Sequence, residues 1–297
     1  MTVRSGDAVT VQARAKINLY LHVLGRREDG YHELDSLFVF GEIADLIDVR
    51  PSRSLRLKVK GTFGGALPES NDNLILRAAK LLSDAVQIKP NAEITLTKNL
   101  PIAAGLGGGS ADAAATLRAL AVFWEIPPNS LDLTLLGLGL GADIPACLLS
   151  EPCFVGGVGE LVEPVPGFPS VPILLVNPGE ALATASVFAG TKQEFSKKSR
   201  FETIPDSVDG LVSALKSSRN DLERSAIELC PAVAEVLQAI RATDGCRLAR
   251  MSGSGATCFG LYSDVMEARE AAKSLRQRGW WSEATVTASA QRPWADI

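Results

Sequence analysis

The sequence predicts an α+β fold in two domains. Helical stretches alternate with strands that read as mostly antiparallel. The helix-rich second half closes on a strand, a loop, a strand, a helix and a final strand. The composition is ordinary for a globular protein: 297 residues, 46% hydrophobic, 22% charged, with 16 prolines spread along the chain. That length supports two domains of about 150 residues each.

Taken in order, "AVTVQARAKINLYLHVLG" is rich in valine, isoleucine and leucine with partial alternation, which predicts one long strand or two joined by a bend. "REDGYHELDSLFVFGEIADLIDVR" adds a turn at Asp29-Gly30 and more strand. "LRLKVKG" alternates cleanly and is expected to be half buried. "NLILRAAKLLSDA" reads as a helix capped by Asn73 or Asp72. "AEITLTKNLP" is a strand stopped by Pro101, and from Ser110 an alanine-rich helix runs to Phe123 or Trp124. "NSLDLTLLGLGLGADIPACLL" is helical, breaks on spaced glycines and restarts near Asp143.

Short strands and turns follow in "EPCFVGGVGELVEPVPGF". Pro164, Pro166 and Pro169 interrupt helix and ladder alike, so the boundary is placed here, with domains of 1–163 and 164–297. Beyond it come a strand "PILLVNPG", a short helix after Gly179, and a polar stretch "GTKQEFSKKSRFETIPD" expected as an exposed loop. Helices at "VDGLVSALKSS" and "NDLERSAIELCPAVAEVLQAIRAT", strands "CRLARMSG" and "ATCFGLYS", helix "DVMEAREAAKSLRQRG" and a strand around "EATVTASA" complete the chain.

Thirty basic against 34 acidic residues leave a net charge of −4. Such a balance gives no general attraction to nucleic acid or to a membrane surface, but it allows a local basic pocket for a phosphorylated small molecule. The five cysteines, at 147, 153, 230, 246 and 258, match no zinc or redox spacing and read as buried thiols of a reducing compartment. With no leader pattern and no apolar run of about 18 residues, the expectation is a soluble, cytoplasmic protein. A homodimer stays open, because periodicity does not separate a surface apolar patch from core.

Chemistry concentrates at "PIAAGLGGGSADAA". Gly105, Gly107, Gly108 and Gly109 follow a strand and precede a helix opening at Ser110. A helix start presents unpaired N–H groups and the positive end of the helix dipole, and glycines before it let backbone fold around a phosphate chain. Neither the lysine-containing phosphate loop nor the dinucleotide fingerprint fits. The competing reading is a turn packed between helix and sheet. A second small-residue loop, Ser252, Gly253, Ser254 and Gly255, is either a hairpin turn or a ligand-lining loop.

Lys16 lies among apolar neighbours, facing solvent on an open sheet or pointing into a pocket; Asn18, two residues on, shares its face. Asp143, between a glycine and a proline, is a helix cap or a carboxylate that takes or orients a hydroxyl proton. Tyr31 and His32 follow a turn and offer an aromatic surface and polar edge for a flat ring. With only two histidines and no HExxH or serine elbow, neither zinc nor acyl-enzyme chemistry is expected. Phosphoryl transfer needs a phosphate cradle, charge stabilisation and an oriented acceptor, and this chain offers that set.

These segments resemble the small-molecule kinase superfamily of galactokinase, homoserine kinase, mevalonate kinase and phosphomevalonate kinase. "AKINLYLHVLGRREDGYHELDSL", the glycine loop, "GADIP", "MSGSGATCFGLY" and the terminal "PWAD" match one branch of it in order and spacing, over nearly the full chain. The resemblance implies a ribosomal-protein-S5-like, ATP-binding N-terminal domain and a ferredoxin-like C-terminal domain on the substrate side, with the site in the cleft between. It implies transfer of the γ-phosphate of ATP, with Mg2+, to the 2-hydroxyl of 4-diphosphocytidyl-2-C-methyl-D-erythritol in the non-mevalonate route to isoprenoids. Lys16 and Asp143 match the catalytic pair, and Asn18 a substrate-side position. Tyr31, His32 and Phe188 match cytosine contacts, while Ser252 to Gly255 would line the cleft. Lys98, Pro101, Ala104, Leu106 and Gly105 to Ser110 fall on the nucleotide side, although Lys98 reads equally as a solvent-facing strand lysine. Alanine at 111 stands where many relatives carry a second serine. Other acceptors within the superfamily (homoserine, mevalonate or a sugar), or a nucleotide-binding module without chemistry, are the alternatives. No pair of carboxylates marks a dedicated metal site.

Overall fold

The computed structural model describes residues 2–5, 8–67, 73–191 and 194–288; "PWAD" and Asp72 lie outside them. In chain order the first part holds β1 (Thr2–Ser5), β2 (Ala8–Arg26), β3 (His32–Pro51), β4 (Arg56–Lys60), α1 (Leu74–Ala85) and β5 (Ala92–Thr97). Next come α2 (Gly108–Phe123), α3 (Leu133–Leu138), α4 (Ile144–Leu149), β6 (Cys153–Gly157) and β7 (Leu161–Pro164). The remainder is β8 (Pro172–Asn177), α5 (Thr184–Ala189), α6 (Val208–Leu215), α7 (Glu223–Leu229) and α8 (Ala232–Arg241). It ends with β9 (Leu248–Met251), β10 (Cys258–Leu261), α9 (Val265–Arg276) and β11 (Trp281–Val286).

The strands form a seven-stranded sheet from β1 to β7 and a four-stranded antiparallel sheet in the order β11-β8-β10-β9. In the larger sheet β3 serves two neighbours: its first half pairs with β6 and its second half with β5. The β2–β3 ladder slips register between Arg14 and Lys16, between Asn18 and Tyr20, and between Val23 and Gly25. Such irregularities bend a strand and re-aim its side chains. The first two bracket Lys16 and Asn18.

Several boundaries differ from the sequence reading. β4 is mostly exposed rather than half buried, because it is the sheet edge; it pairs parallel to β5 through the α1 crossover. β5 ends at Thr97, four residues short of Pro101, and α2 starts at Gly108, since glycine tolerates the first helical turn once Gly107 has turned the chain. Asn73 is the cap of α1, accepting the Ile75 N–H at 2.9 Å. Pro231 divides the stretch expected as one helix into α7 and α8. The polar 194–206 segment has no regular structure, yet it is tied down rather than free, as described below.

Three apolar clusters hold these layers. One lies between the large sheet and α1 to α4. A second lies between the small sheet and α7 to α9. The third runs between the two sheets, joining Ile17, Leu19 and Val39 to Ile173, Leu175, Phe259 and Leu261. β8 is buried on both faces: Leu174 and Val176 enter the second cluster, Ile173 and Leu175 the third. The strand period of two thus lets one short segment bind two cores together.

Candidate active site

The glycine loop is built where β2, α2 and the second glycine segment meet. Gly107 has φ 63° and stands at the N-cap of α2. The N–H groups of Gly108, Gly109 and Ser110 precede the first intrahelical bond, from Ala111 N–H to Gly107 O (2.8 Å), so the helix start presents three donors. Side chains are excluded by geometry. A Cβ at Gly105 would stand 2.3 Å from Ser252 O, and one at Gly107 2.9 Å from Lys16 Cε. The loop is also fastened from below. Lys16 N–H donates to Leu106 O at 2.9 Å, and the Ser252 hydroxyl donates to Gly105 O at 2.9 Å while accepting the Asn18 N–H at 3.1 Å.

Against Gly107 pack the side-chain methylenes of Lys16, whose ammonium is almost fully buried. It donates to Asn18 Oδ1 at 2.8 Å, pairs with Asp143 Oδ2 at 3.2 Å and sits 4.4 Å from the Phe38 ring centroid. The Asn18 amide is oriented in turn by donating to Ser36 Oγ at 3.0 Å. Asp143 occupies the N-cap position of α4 but makes no side-chain cap bond, so its carboxylate is committed to Lys16 and to the open side, where it is 34% exposed. A cation, a carboxylate and an array of backbone donors therefore converge on one point.

Lys98 is buried, not solvent-facing. Its ammonium bridges Asp45 Oδ2 (2.6 Å) and Asp112 Oδ2 (2.7 Å), beneath Gly108, whose Cβ would stand 3.0 Å from Nζ. Burial alone would lower the Lys98 pKa; Asp112 and Asp45 outweigh it and leave it raised. Asp45 Oδ1 accepts the N–H groups of Asn99 (2.5 Å) and Leu100 (2.9 Å), which fixes the chain entering the glycine loop.

The far end of the cavity is aromatic. His32 and Phe188 stack with centroids 5.0 Å apart and planes 26° apart, and Tyr31 lies largely exposed beside them. As they stand, these two rings leave no gap between them for a third. Burial, with Arg26 nearby, lowers the His32 pKa, so near neutral pH the ring offers one donor and one acceptor. A strap formed by residues 194–200 flanks this end. Ser196 N–H donates to Val23 O (2.9 Å), the His22 ring bonds Lys197 O through Nδ1 (2.8 Å), and Ser199 N–H and Arg200 Nε donate to Asp35 (2.8 and 3.0 Å).

One cavity of about 1330 Å³ joins these parts. It brings together Lys16, Asn18, Asp143, Lys98, Pro101, Ala104, Gly105, Gly107 to Ser110, Tyr31, His32, Phe188, Gly253 and Ser254. Leu106, Ser252 and Gly255 do not line it. Leu106 packs into the inter-sheet cluster, Ser252 is fully buried as a tie between loops, and Gly255 closes the turn by donating to Ser252 O at 3.0 Å. Sequence reading missed Asp45, Asp112, Ser36 and the cavity-lining Phe195. Asp45 had a signal, an acidic residue inside the apolar strand "EIADLIDV"; Phe195 had none.

Residues 73–151 match the model of the GHMP kinases N terminal domain, and residues 207–279 that of the GHMP kinases C terminal domain. The chain is similar to the 4-diphosphocytidyl-2-C-methyl-D-erythritol kinase of Parvibaculum lavamentivorans, 47% identical over 94% of this chain and 98% of that one. It is likewise similar to the protein of that name from Paramagnetospirillum magneticum, 46% identical over 92% and 96%. A crystal structure of 4-(cytidine 5'-diphospho)-2C-methyl-D-erythritol kinase superposes with a TM-score of 0.77 at 36% identity, covering 94% of this chain and all of that one. Homoserine kinase from Cytophaga hutchinsonii shares the fold, with a TM-score of 0.72 at 17% identity over 99% of this chain and 98% of that one.

Proposed function

The chain belongs to the 4-diphosphocytidyl-2-C-methyl-D-erythritol kinase family of the GHMP kinases, and on that premise we propose that it moves the γ-phosphate of ATP to the 2-hydroxyl of 4-diphosphocytidyl-2-C-methyl-D-erythritol. One juxtaposition carries the reading: Lys16, whose stem packs against the left-handed Gly107 at the start of α2, pairs with Asp143 in the cavity that also holds His32 and Phe188.

The triphosphate lies along Gly105 to Ser110, where the N–H groups of the first turn of α2 meet its charge. The acceptor hydroxyl sits against Asp143, which takes or orients its proton. Lys16 pairs with that carboxylate and faces the charge that develops on the transferring phosphoryl group. No phospho-enzyme is needed. Magnesium binds through phosphates with one or two carboxylates and retained water. Of the two carboxylates lining the cavity Asp112 is held by Lys98, so Asp143 would hold the ion, and the described residues hold no group of three His, Cys, Asp or Glu side chains that would cage a metal. When bound, the ion would neutralise phosphate charge.

The same reading assigns 1–163 to an S5-like, nucleotide-binding domain and 164–297 to a ferredoxin-like, substrate-side domain. The larger sheet ending at Pro164 and the smaller beginning at Pro172 support it. A cytoplasmic location is part of the reading, on the strength of five free thiols, four of them buried. Among the described residues no helix is long and apolar enough to cross a membrane.

The test is ATP-dependent phosphorylation of the cytidine-diphospho substrate against unmodified methylerythritol, with the new phosphate located by phosphorus NMR. Equal rates on both acceptors would rule out the cytidine-bearing substrate. Phe188→Ala is expected to raise KM for the cytidine substrate roughly tenfold, on the scale of about 1–3 kcal/mol for a base stacked on an aromatic ring. KM for ATP stays unchanged in the same steady-state measurement.

A further inference from the structure

Asp112 is 4% exposed and lines the cavity, and its buried Oδ1 has no hydrogen-bond partner among the described residues. Its other oxygen shares Lys98 with Asp45. The two carboxylates differ in what satisfies them. Asp45 has its oxygens engaged by Lys98 and by two backbone N–H groups, whereas among the described residues the donor to Asp112 is Lys98 alone. Two carboxylates sharing one ammonium leave an excess negative charge, and a buried oxygen with no donor is costly to keep ionised. The proton of this triad therefore belongs on Asp112, whose carboxyl already faces Asp45 and whose Oδ1 is the oxygen still without a partner.

We infer that Asp112 is a nucleotide-binding residue that acts as a carboxylic acid, donating from Oδ1 to an acceptor atom of the bound nucleotide, so that nucleotide binding takes up a proton. The inference rests on the nucleotide reading of this cavity. Burial, with the Asp45 carboxylate adding and Lys98 opposing, pushes the Asp112 pKa up to about 7. Other charges around α2 are engaged elsewhere. Lys16 and Asp143 pair on the far side of Gly107, and Arg118 donates to Gln12 O at 2.9 Å, with Arg14 beside it on β2. Arg77, Lys80 and Asp84 of α1 line a separate outer groove with Asp132 of α3.

The sign follows directly. A ligand that needs the protonated acid binds more weakly as pH rises through the pKa of that acid. Calorimetric titration of the full chain with ADP, in buffers of different ionisation enthalpy, reads both quantities. The expected result is uptake approaching one proton per ADP and an affinity falling roughly tenfold from about pH 7 to about pH 8.5. Asp112→Asn presents a permanent donor in the same place. It is expected to bind ADP more tightly than the unaltered protein at the higher pH, with that proton uptake gone; the titration of ADP itself is common to both proteins. Identical proton uptake in both, or none in the unaltered protein should the variant not fold, overturns the inference while leaving the kinase reading intact. Failure of the unaltered protein to bind ADP at any pH overturns both.

Discussion

Asp143→Asn is expected to lower turnover by about 10²-fold or more, the usual scale for losing a positioned acid or base. KM for both substrates changes little, because asparagine keeps the shape and still accepts from the Lys16 ammonium 3.2 Å away. A helix-capping role would give another result, a loss of stability with chemistry intact. The side chain makes no bond to the first turn of α4, which argues against the cap. Single-turnover kinetics alongside a urea melt make the measurement. Unchanged turnover would remove Asp143 from the mechanism.

Lys98→Met should produce the largest loss of stability. It strips the Lys98 ammonium from two buried carboxylates, and breaking a buried pair by removing one partner costs about 3–5 kcal/mol. Urea denaturation at neutral pH reads this directly, and adding Asp112→Asn should recover part of it. The pH dependence has a definite sign. The folded-state pKa of Asp112 lies above the ordinary carboxylate value of 3.8, at about 7. The stability from its protonated form is therefore fully present at low pH and is lost as pH rises through about 7. Without Lys98 the Asp112 pKa rises further, so the variant should be nearest the unaltered protein in mild acid. A loss confined to a few tenths of a kcal/mol would mean that the triad is hydrated.

The parts of the site legible in sequence were those whose chemistry is local. The glycine loop was readable because four glycines in five positions exceed what a turn requires, and Lys16 with Asn18 because a strand places i and i+2 on one face. The cap of α1 could be narrowed to Asn73 or Asp72 because capping depends on the next two or three residues, and Asn73 is the one that caps. Long-range partnerships were not legible. Nothing near Lys98 indicates that Asp45, 53 residues away, waits beneath it, so a strand lysine read equally well as solvated. Nor does "SGSG" disclose that the Ser252 hydroxyl is spent on Gly105, 147 residues earlier. β4 was misjudged for the same reason: alternation reports a face, but the neighbour that covers it is a property of topology.

The apolar cluster shared by the two sheets has a consequence for how ligands enter. The walls of the cleft are stitched by more than side chains: Leu21 N–H bonds Arg219 O at 3.0 Å, Asp221 N–H bonds Leu21 O at 2.8 Å, and Ala288 N–H bonds Phe40 O. Opening this molecule like a clamshell would tear a hydrophobic seam and several backbone bonds at once. The two jaws are accordingly held together, and the part of the cavity rim left without such ties among the described residues is the exposed Tyr31 beside the Asp29-Gly30 turn.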